Sequence, residues 1–331
     1  YGYQQPINKS KSSTYAIMVT LRNLYTKDVK RNQIESETKE KRKKSYAPFS
    51  KDLTKSEIKD ILERSKRQSE RYIKMKRNNF TKAQIDSAFN TKTEMTVFNG
   101  KQYVDTLLSP IDSIRWDKYF LRCGFMSMNP YNGHIKAYVG GPNFSAFQYD
   151  MVNVGKRQVG STVKPFLYTL AMEEGMTPCT RVPNVQPTFV LGDGTEWAPR
   201  NDSKKKVGEM VTLRWALSQS NNWISAYLIR EYSPQSLVKL MHSFGIKSKL
   251  DPVISLCLGP VEVSVSEMVD AYTTFVNKGI KVDPLYVTRI EDNKGNVISS
   301  FTPQYTEIIS EETSHKMLEM LKAVINEGTG V

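Results

Sequence analysis

Cysteine is scarce in this chain: three in 331 residues, at Cys123, Cys179 and Cys257. None stands in a Cys-x-x-Cys spacing, and an odd, sparse count gives no disulfide framework. No metal and no cofactor is therefore expected. All three have apolar neighbours in sequence, so small core residues are the expectation for each. No run of 18 apolar residues occurs, and nothing reads as a membrane-spanning helix. Tyr1-Gly2-Tyr3-Gln4 shows neither a signal-peptide pattern nor an initiator methionine, as expected of a piece of a longer protein. No nucleic-acid-binding motif and no internal repeat is present.

The charge that is present lies unevenly. The net charge is +13, with 39% hydrophobic and 24% charged residues, a globular composition. Residues 1–100 hold 23 Lys+Arg against 11 Asp+Glu, and the remaining 231 hold 24 against 23. The surplus centres on Lys41-Arg42-Lys43-Lys44. A solvated linker face explains it better than attraction to an anionic surface. Residues 1–45 are irregular and polar around one apolar patch, Tyr15–Val19.

Element signals follow in order. Thr54 and Glu57 form a capping-box pattern ahead of a charged helix over 54–78, and Thr81 caps a short helix to Phe89. Two strands flank Asn99-Gly100. Asn132-Gly133 supplies the turn of a hairpin joining strands at 124–128 and 134–139. Later helices start at Thr212, at Ser233-Pro234 and at Val265, and a last one runs from Glu311 to Asn326. A further hairpin spans 286–298. The division expected is basic linker and accessory helices over 1–95 and one α+β domain over 96–331.

The chemistry centres on Gly160-Ser161-Thr162-Val163-Lys164-Pro165-Phe166. Ser161 and Lys164 are three residues apart, a spacing that stacks two side chains on one face of a helix. A serine hydroxyl is a weak nucleophile until a base takes its proton, and a neutral lysine amine within reach is such a base. Pro165 belongs to a first helical turn, which puts Ser161 at or just before a helix N-terminus, where developing negative charge is favoured. Phe166, Leu167, Leu170 and Ala171 form an apolar stripe, and Gly175 is the stop. Against this stands the plain alternative that Ser161 only caps the helix.

Further stretches belong with it. Ser220-Asn221-Asn222 supplies a Ser-x-Asn, Trp197-Ala198-Pro199-Arg200-Asn201 a loop before it, and Leu256-Cys257-Leu258-Gly259 with Ser264–Met268 and Ala271-Tyr272 a later signature. In this order they resemble the transpeptidase domain of penicillin-binding proteins, of the class A, bifunctional type, over roughly residues 95–331. The resemblance implies a serine β-lactamase-like α+β fold with a central antiparallel sheet flanked by helices. It implies a peptidoglycan DD-transpeptidase in which Ser161 is the acylated nucleophile, Lys164 the base, Ser220 the proton shuttle and Asn222 a substrate-binding amide. For Ser220 and Asn222 the alternative is helix capping. Trp197 is either a wall of the substrate cleft or a ring that closes the core.

The partners so implied are D-Ala-D-Ala stem peptides of peptidoglycan and β-lactams. The parent protein would be membrane-anchored, with a glycosyltransferase domain and a periplasmic or outer-face location. Neither Lys-Thr-Gly nor Lys-Ser-Gly, the family's third motif, occurs in the chain. Gly328-Thr329-Gly330 resembles the turn that precedes it. The expectation is a domain cut short at its C-terminal part, without one oxyanion donor, a loss that typically costs about 10²–10³ in rate. Two other readings are a non-catalytic penicillin sensor or scaffold and a serine β-lactamase. A β-lactamase of class D would carry Ser-x-Val as second motif, where this chain has Ser-x-Asn, and one of class A a Glu-x-x-Leu-Asn loop, which is not present.

Overall fold

The computed structural model describes residues 48–50, 53–190, 192 and 194–330. The basic run at 41–44 and the patch at 15–19 lie outside the described residues. The chain forms two compact units, which divide between Arg122 and Cys123, with 142–147 belonging to the first.

The first unit begins with α1 (Lys55–Gln68), α2 (Glu70–Arg77) and α3 (Lys82–Asn90). The capping boxes at Thr54/Glu57 and Thr81/Gln84 are both formed. The single helix expected over 54–78 is instead two. Ser69 takes an extended conformation, and its side chain accepts the Tyr72 N–H, opening α2. Serine's hydroxyl competes for backbone N–H groups in this way. β1 (Thr93–Phe98) and β2 (Tyr103–Leu108) pair antiparallel, and α4 (Pro110–Asp117) follows from its Ser109 cap. Phe98 packs on Phe120 and Phe147, with ring centroids 5.6 Å apart in each case. Trp116 Nε1 donates to the Phe98 carbonyl at 2.8 Å. These contacts hold the hairpin in the smaller unit, so the units part at 122/123 where 95/96 was expected.

The second unit has an α+β fold. Its strands are β3 (Phe125–Met128), β4 (Ile135–Val139), β5 (Lys156–Gln158), β6 (Arg181–Pro183), β7 (Phe189–Val190), β8 (Glu196–Trp197), β9 (Met210–Thr212), β10 (Glu262–Ser264), β11 (Ile280–Val282), β12 (Arg289–Glu291), β13 (Val297–Ser300) and β14 (Tyr305–Glu307). Its helices are α5 (Lys164–Glu173), α6 (Leu213–Ser218), α7 (Asn222–Tyr232), α8 (Pro234–Ser243), α9 (Val265–Val276) and α10 (Glu311–Asn326). Among the described residues the strands pair two by two and antiparallel, without the wider ladder of one central sheet. The inner face of the β3–β4 hairpin meets a helix: Met126 and Met128 pack with Val152 and with Val269 of α9.

α5 is the centre of the core. The sequence suggests one apolar stripe, yet eight of its ten residues are buried. A helix buried all round is one that other helices surround. Phe166 meets Phe244 at 5.2 Å, Tyr272 at 5.6 Å and Phe275 at 5.9 Å between ring centroids. Of the cysteines only Cys257 is a core residue. Cys123 is half-buried and Cys179 exposed, contrary to expectation. Apolar sequence neighbours do not bury a residue at a helix-to-strand turn.

Candidate active site

Ser161 lies in a single 3-10 turn, Gly160–Val163, which runs directly into α5. It is exposed, and the Lys164 N–H donates to its carbonyl. Residues three apart on such a turn are eclipsed, so Ser161 and Lys164 share one side. The cap position of α5 is Val163, with no side-chain cap bond, so Ser161 is not a helix cap.

A strand ladder holds this turn in place. β5 pairs with β10, and the pairing continues past the strand ends: Val159 N–H donates to Val261 O and Gly160 N–H to Gly259 O, both at 3.0 Å. Gly160 and Gly259 both have positive φ, 54° and 70°. A Cβ on Gly259 would overlap the Gly160 carbonyl oxygen and lie 2.7 Å from Gly160 C and N, so only glycine fits there. From α9, the buried Tyr272 hydroxyl donates to the Thr162 carbonyl at 2.7 Å.

Lys164 is 1% exposed. Its Nζ lies 2.6 Å from the Ser220 carbonyl oxygen, 3.0 Å from Ser220 Oγ and 2.7 Å from Asn222 Oδ1. The carbonyl and the amide oxygen can only accept, whereas the hydroxyl can give or take a proton. Cys257 is buried near this amine. Burial pushes its thiol up to about 12 and keeps it protonated at neutral pH.

Capping in the Ser-x-Asn stretch falls to the residue between the two expected ones. Asn221 Oδ1 accepts the Ile224 N–H at 3.0 Å and starts α7. That leaves Ser220 and Asn222 turned to Lys164. Ser220 has φ +52°, a left-handed conformation that serine adopts only when its surroundings hold it.

The Trp197–Asn201 loop before α7 touches this stretch through its last two residues and not through Trp197, the one singled out from the sequence. Asn222 N–H donates to Asn201 Oδ1 and Asn222 Nδ2 to the Arg200 carbonyl, both at 2.7 Å. Because a carbonyl only accepts, the second bond turns Asn222 Oδ1 towards Lys164. The Pro199 carbonyl takes bonds from Trp223 Nε1 and Gln186 Nε2. Trp197 itself is half-buried against the core, its ring 5.5 Å from that of Phe189. Across the site, the Gly328-Thr329-Gly330 turn docks on α6: Thr329 N–H and Gln219 Nε2 donate to the carbonyls of Ser218 and Glu327, both at 3.1 Å.

The arrangement is a serine–lysine turn whose lysine is enclosed by a Ser-x-Asn. The sequence matches the penicillin binding protein transpeptidase domain over residues 123–331 and the penicillin-binding protein middle domain over 44–121. The chain belongs to the penicillin-binding protein transpeptidase family. Penicillin-binding protein 1A of Aquifex aeolicus is 31% identical over 210 residues, which are 63% of this chain and 29% of that protein. Penicillin-binding protein 2D of Bacillus subtilis is 25% identical over 326 residues, 98% of this chain and 46% of that protein. The chain thus spans less than half the length of these relatives.

Among solved structures, penicillin-binding protein 1A from Haemophilus influenzae has a TM-score of 0.59 at 24% identity, covering 63% of this chain and 36% of its own. The D,D-transpeptidase domain of a peptidoglycan glycosyltransferase from Eggerthella lenta has 0.53 at 21%, covering 63% and 62%. These likenesses carry the fold.

Proposed function

We propose that the chain is the acyl-transfer part of a peptidoglycan DD-transpeptidase. The observation that carries this is the buried Lys164 amine held by the Ser220 carbonyl, the Ser220 hydroxyl and Asn222 Oδ1. A neutral amine has two hydrogens and one lone pair. The two acceptor-only oxygens take the hydrogens, and the lone pair is left for a hydroxyl proton.

Ser161 Oγ attacks the carbonyl between two terminal D-alanines and its proton passes to Lys164. The tetrahedral intermediate collapses, the C–N bond breaks, and the departing D-alanine amine takes its proton through Ser220. Because the Ser220 hydroxyl can both accept from an ammonium and donate onward, one contact serves both halves of the transfer. Asn222 binds the peptide backbone of the substrate, and Trp197 stands at the base of the loop that orients Asn222. An amine of a second stem then attacks the Ser161 ester, forms the cross-link and frees the serine. Water in its place gives a carboxypeptidase product, and a β-lactam acylates the same oxygen.

The parent protein, as the family resemblance implies, adds a glycosyltransferase domain and a membrane anchor and works on the outer face of the cytoplasmic membrane. The basic run at 41–44 is part of its linker, and α1, α2 and α3 are accessory helices of the first unit. No helix among the described residues is long and apolar enough to cross a membrane.

Intact-mass measurement after incubation with a β-lactam tests the reading. One adduct, mapped to Ser161 and absent in Ser161→Ala, is expected. An adduct on another residue, or none, sinks it.

A further inference from the structure

The stretch that meets Lys164 is anchored on a residue outside every motif. Asn184 follows β6 and is 1% exposed. Its Oδ1 accepts from Asn221 Nδ2 at 2.9 Å. Its Nδ2 donates to the carbonyls of Lys205 at 3.1 Å and Lys206 at 2.8 Å. Its N–H donates to Glu209 O and its carbonyl accepts from Gly208 N–H. Every polar group of Asn184 is thus engaged, and the two carbonyls fix which end of the amide faces Asn221.

We propose that Asn184 is a positioning residue for acyl transfer. It holds the Asn221 side chain, and so the two oxygens on either side of Asn221, against the Lys164 amine. The proposal rests on the roles given above to Lys164, Ser220 and Asn222. Asn184 touches none of the reacting groups. Its effect follows from the chain itself. The Ser220 carbonyl and Asn222 Oδ1 belong to the residues before and after Asn221, and both lie within 2.7 Å of Nζ. Any rotation at Asn221 therefore displaces both at once. Ser220 is in a left-handed conformation that an L residue keeps only under constraint. The constraint comes from Asn221, whose Oδ1 is spent on the α7 cap and whose Nδ2 is spent on Asn184. A buried amide pair of this kind, fully satisfied, specifies one geometry. With one partner removed it leaves a buried donor unpaired and the turn free to shift.

The test compares Asn184→Leu, near in size but unable to bond, with Asn184→Asp, which when protonated keeps an acceptor for Asn221 and a donor for the Lys206 carbonyl, and which is assayed below the pH at which that buried carboxyl ionises. Acylation of the 331-residue chain by a labelled penicillin is followed as saturating rate, half-saturating concentration and moles bound per mole. Asn184→Leu is expected to slow the saturating rate at least about tenfold, as a sub-ångström misplacement does. The half-saturating concentration stays within about twofold and the stoichiometry near about one. Asn184→Asp recovers most of the rate. Met317→Ala, a core truncation in α10, lowers the Tm without slowing acylation.

An unchanged rate in Asn184→Leu overturns the proposal. So does a loss of stoichiometry in place of rate, the mark of a merely structural role, or an Asp variant as slow as the Leu variant. If the parent chain does not label at all, the acyl-transfer reading fails first. Hydrogen exchange across residues 216–224 then decides the bridge: exchange at least about tenfold faster in Asn184→Leu but not in Asn184→Asp upholds it, and equal exchange in both refutes it.

Discussion

Gly259→Ala and Gly160→Ala form a matched pair of perturbations at the nucleophile turn. The two glycines face each other across one hydrogen bond, and both are left-handed. An alanine at either position carries the left-handed cost of about 1–2 kcal/mol. At Gly160 nothing lies within 4 Å of a new Cβ, so the cost ends there. At Gly259 the Cβ lies 2.7 Å from Gly160 C and N, where ordinary contact begins at 3.4 Å. The gap must open by at least about 0.7 Å, the difference of those two distances, and by more at the Gly160 carbonyl oxygen, which the Cβ overlaps; backbone gives way poorly. Overpacking of this kind adds about 1–3 kcal/mol. Totals are about 1–2 kcal/mol for Gly160→Ala and about 2–5 kcal/mol for Gly259→Ala.

Calorimetry should register roughly 2–4 °C of Tm per kcal/mol for a unit of this size. The displaced residue is the one before Ser161, so Gly259→Ala should also acylate about 10–100-fold more slowly, since a 1 Å misplacement typically costs about 10². Equal Tm losses in the two variants, or Gly259→Ala with undiminished acylation, would refute the reasoning that this contact aims the serine.

Two further outcomes follow from neighbouring groups. Tyr272→Phe keeps the ring against Phe166 and Phe275 but leaves the half-buried Thr162 carbonyl without its donor, for a loss of about 0.5–1.5 kcal/mol in urea unfolding. No measurable loss would mean that the carbonyl finds another partner. Burial pushes Asp270 up from 3.8 to about 6 despite Lys281 at 3.4 Å, which also pairs with Asp283. The native state therefore holds this proton more tightly than the unfolded chain, and its contribution to stability falls as pH rises from about 4 to 6. Asp270→Asn should then be more stable than the parent at pH 7.5, by up to about 3 kcal/mol, with the gain shrinking towards pH 4.5. A variant less stable at pH 7.5 would show the ion pair outweighing the burial.

Short-range signals in the sequence translated well. Ser161 and Lys164 share a turn because three residues set that spacing, and Thr54, Thr81, Thr212 and Ser233 cap the helices read from them. Asn132-Gly133 turns the β3–β4 hairpin, with Gly133 at φ +70°. Ser220 and Asn222 were legible as a pair, but not the division of labour by which Asn221 takes the cap and frees them.

What escaped is what depends on distant partners. Asn184, Asn201, Gly259 and Tyr272 act through bonds to residues 21 to 110 positions away, and no local pattern announces which carbonyl a side chain will meet. Ser69 looked like a polar residue on a helix face, yet its hydroxyl made a cap and broke the helix. The pairing of strands two by two was equally hidden, since alternation reports a buried face and not the number of neighbours.

The supports of the nucleophile turn arrive late in the chain. Tyr272 lies 110 residues beyond the carbonyl it holds. At roughly 5–20 residues per second, a ribosome delivers it roughly 5–20 s after the turn itself. Midway through that interval Ser220 and Asn222 arrive to hold Lys164, but the turn that carries Ser161 still lacks its Gly259 and Tyr272 bonds. Reactivity therefore waits for residues 256–272 to dock, and a penicillin pulse given to nascent chains becomes a clock for that step of folding.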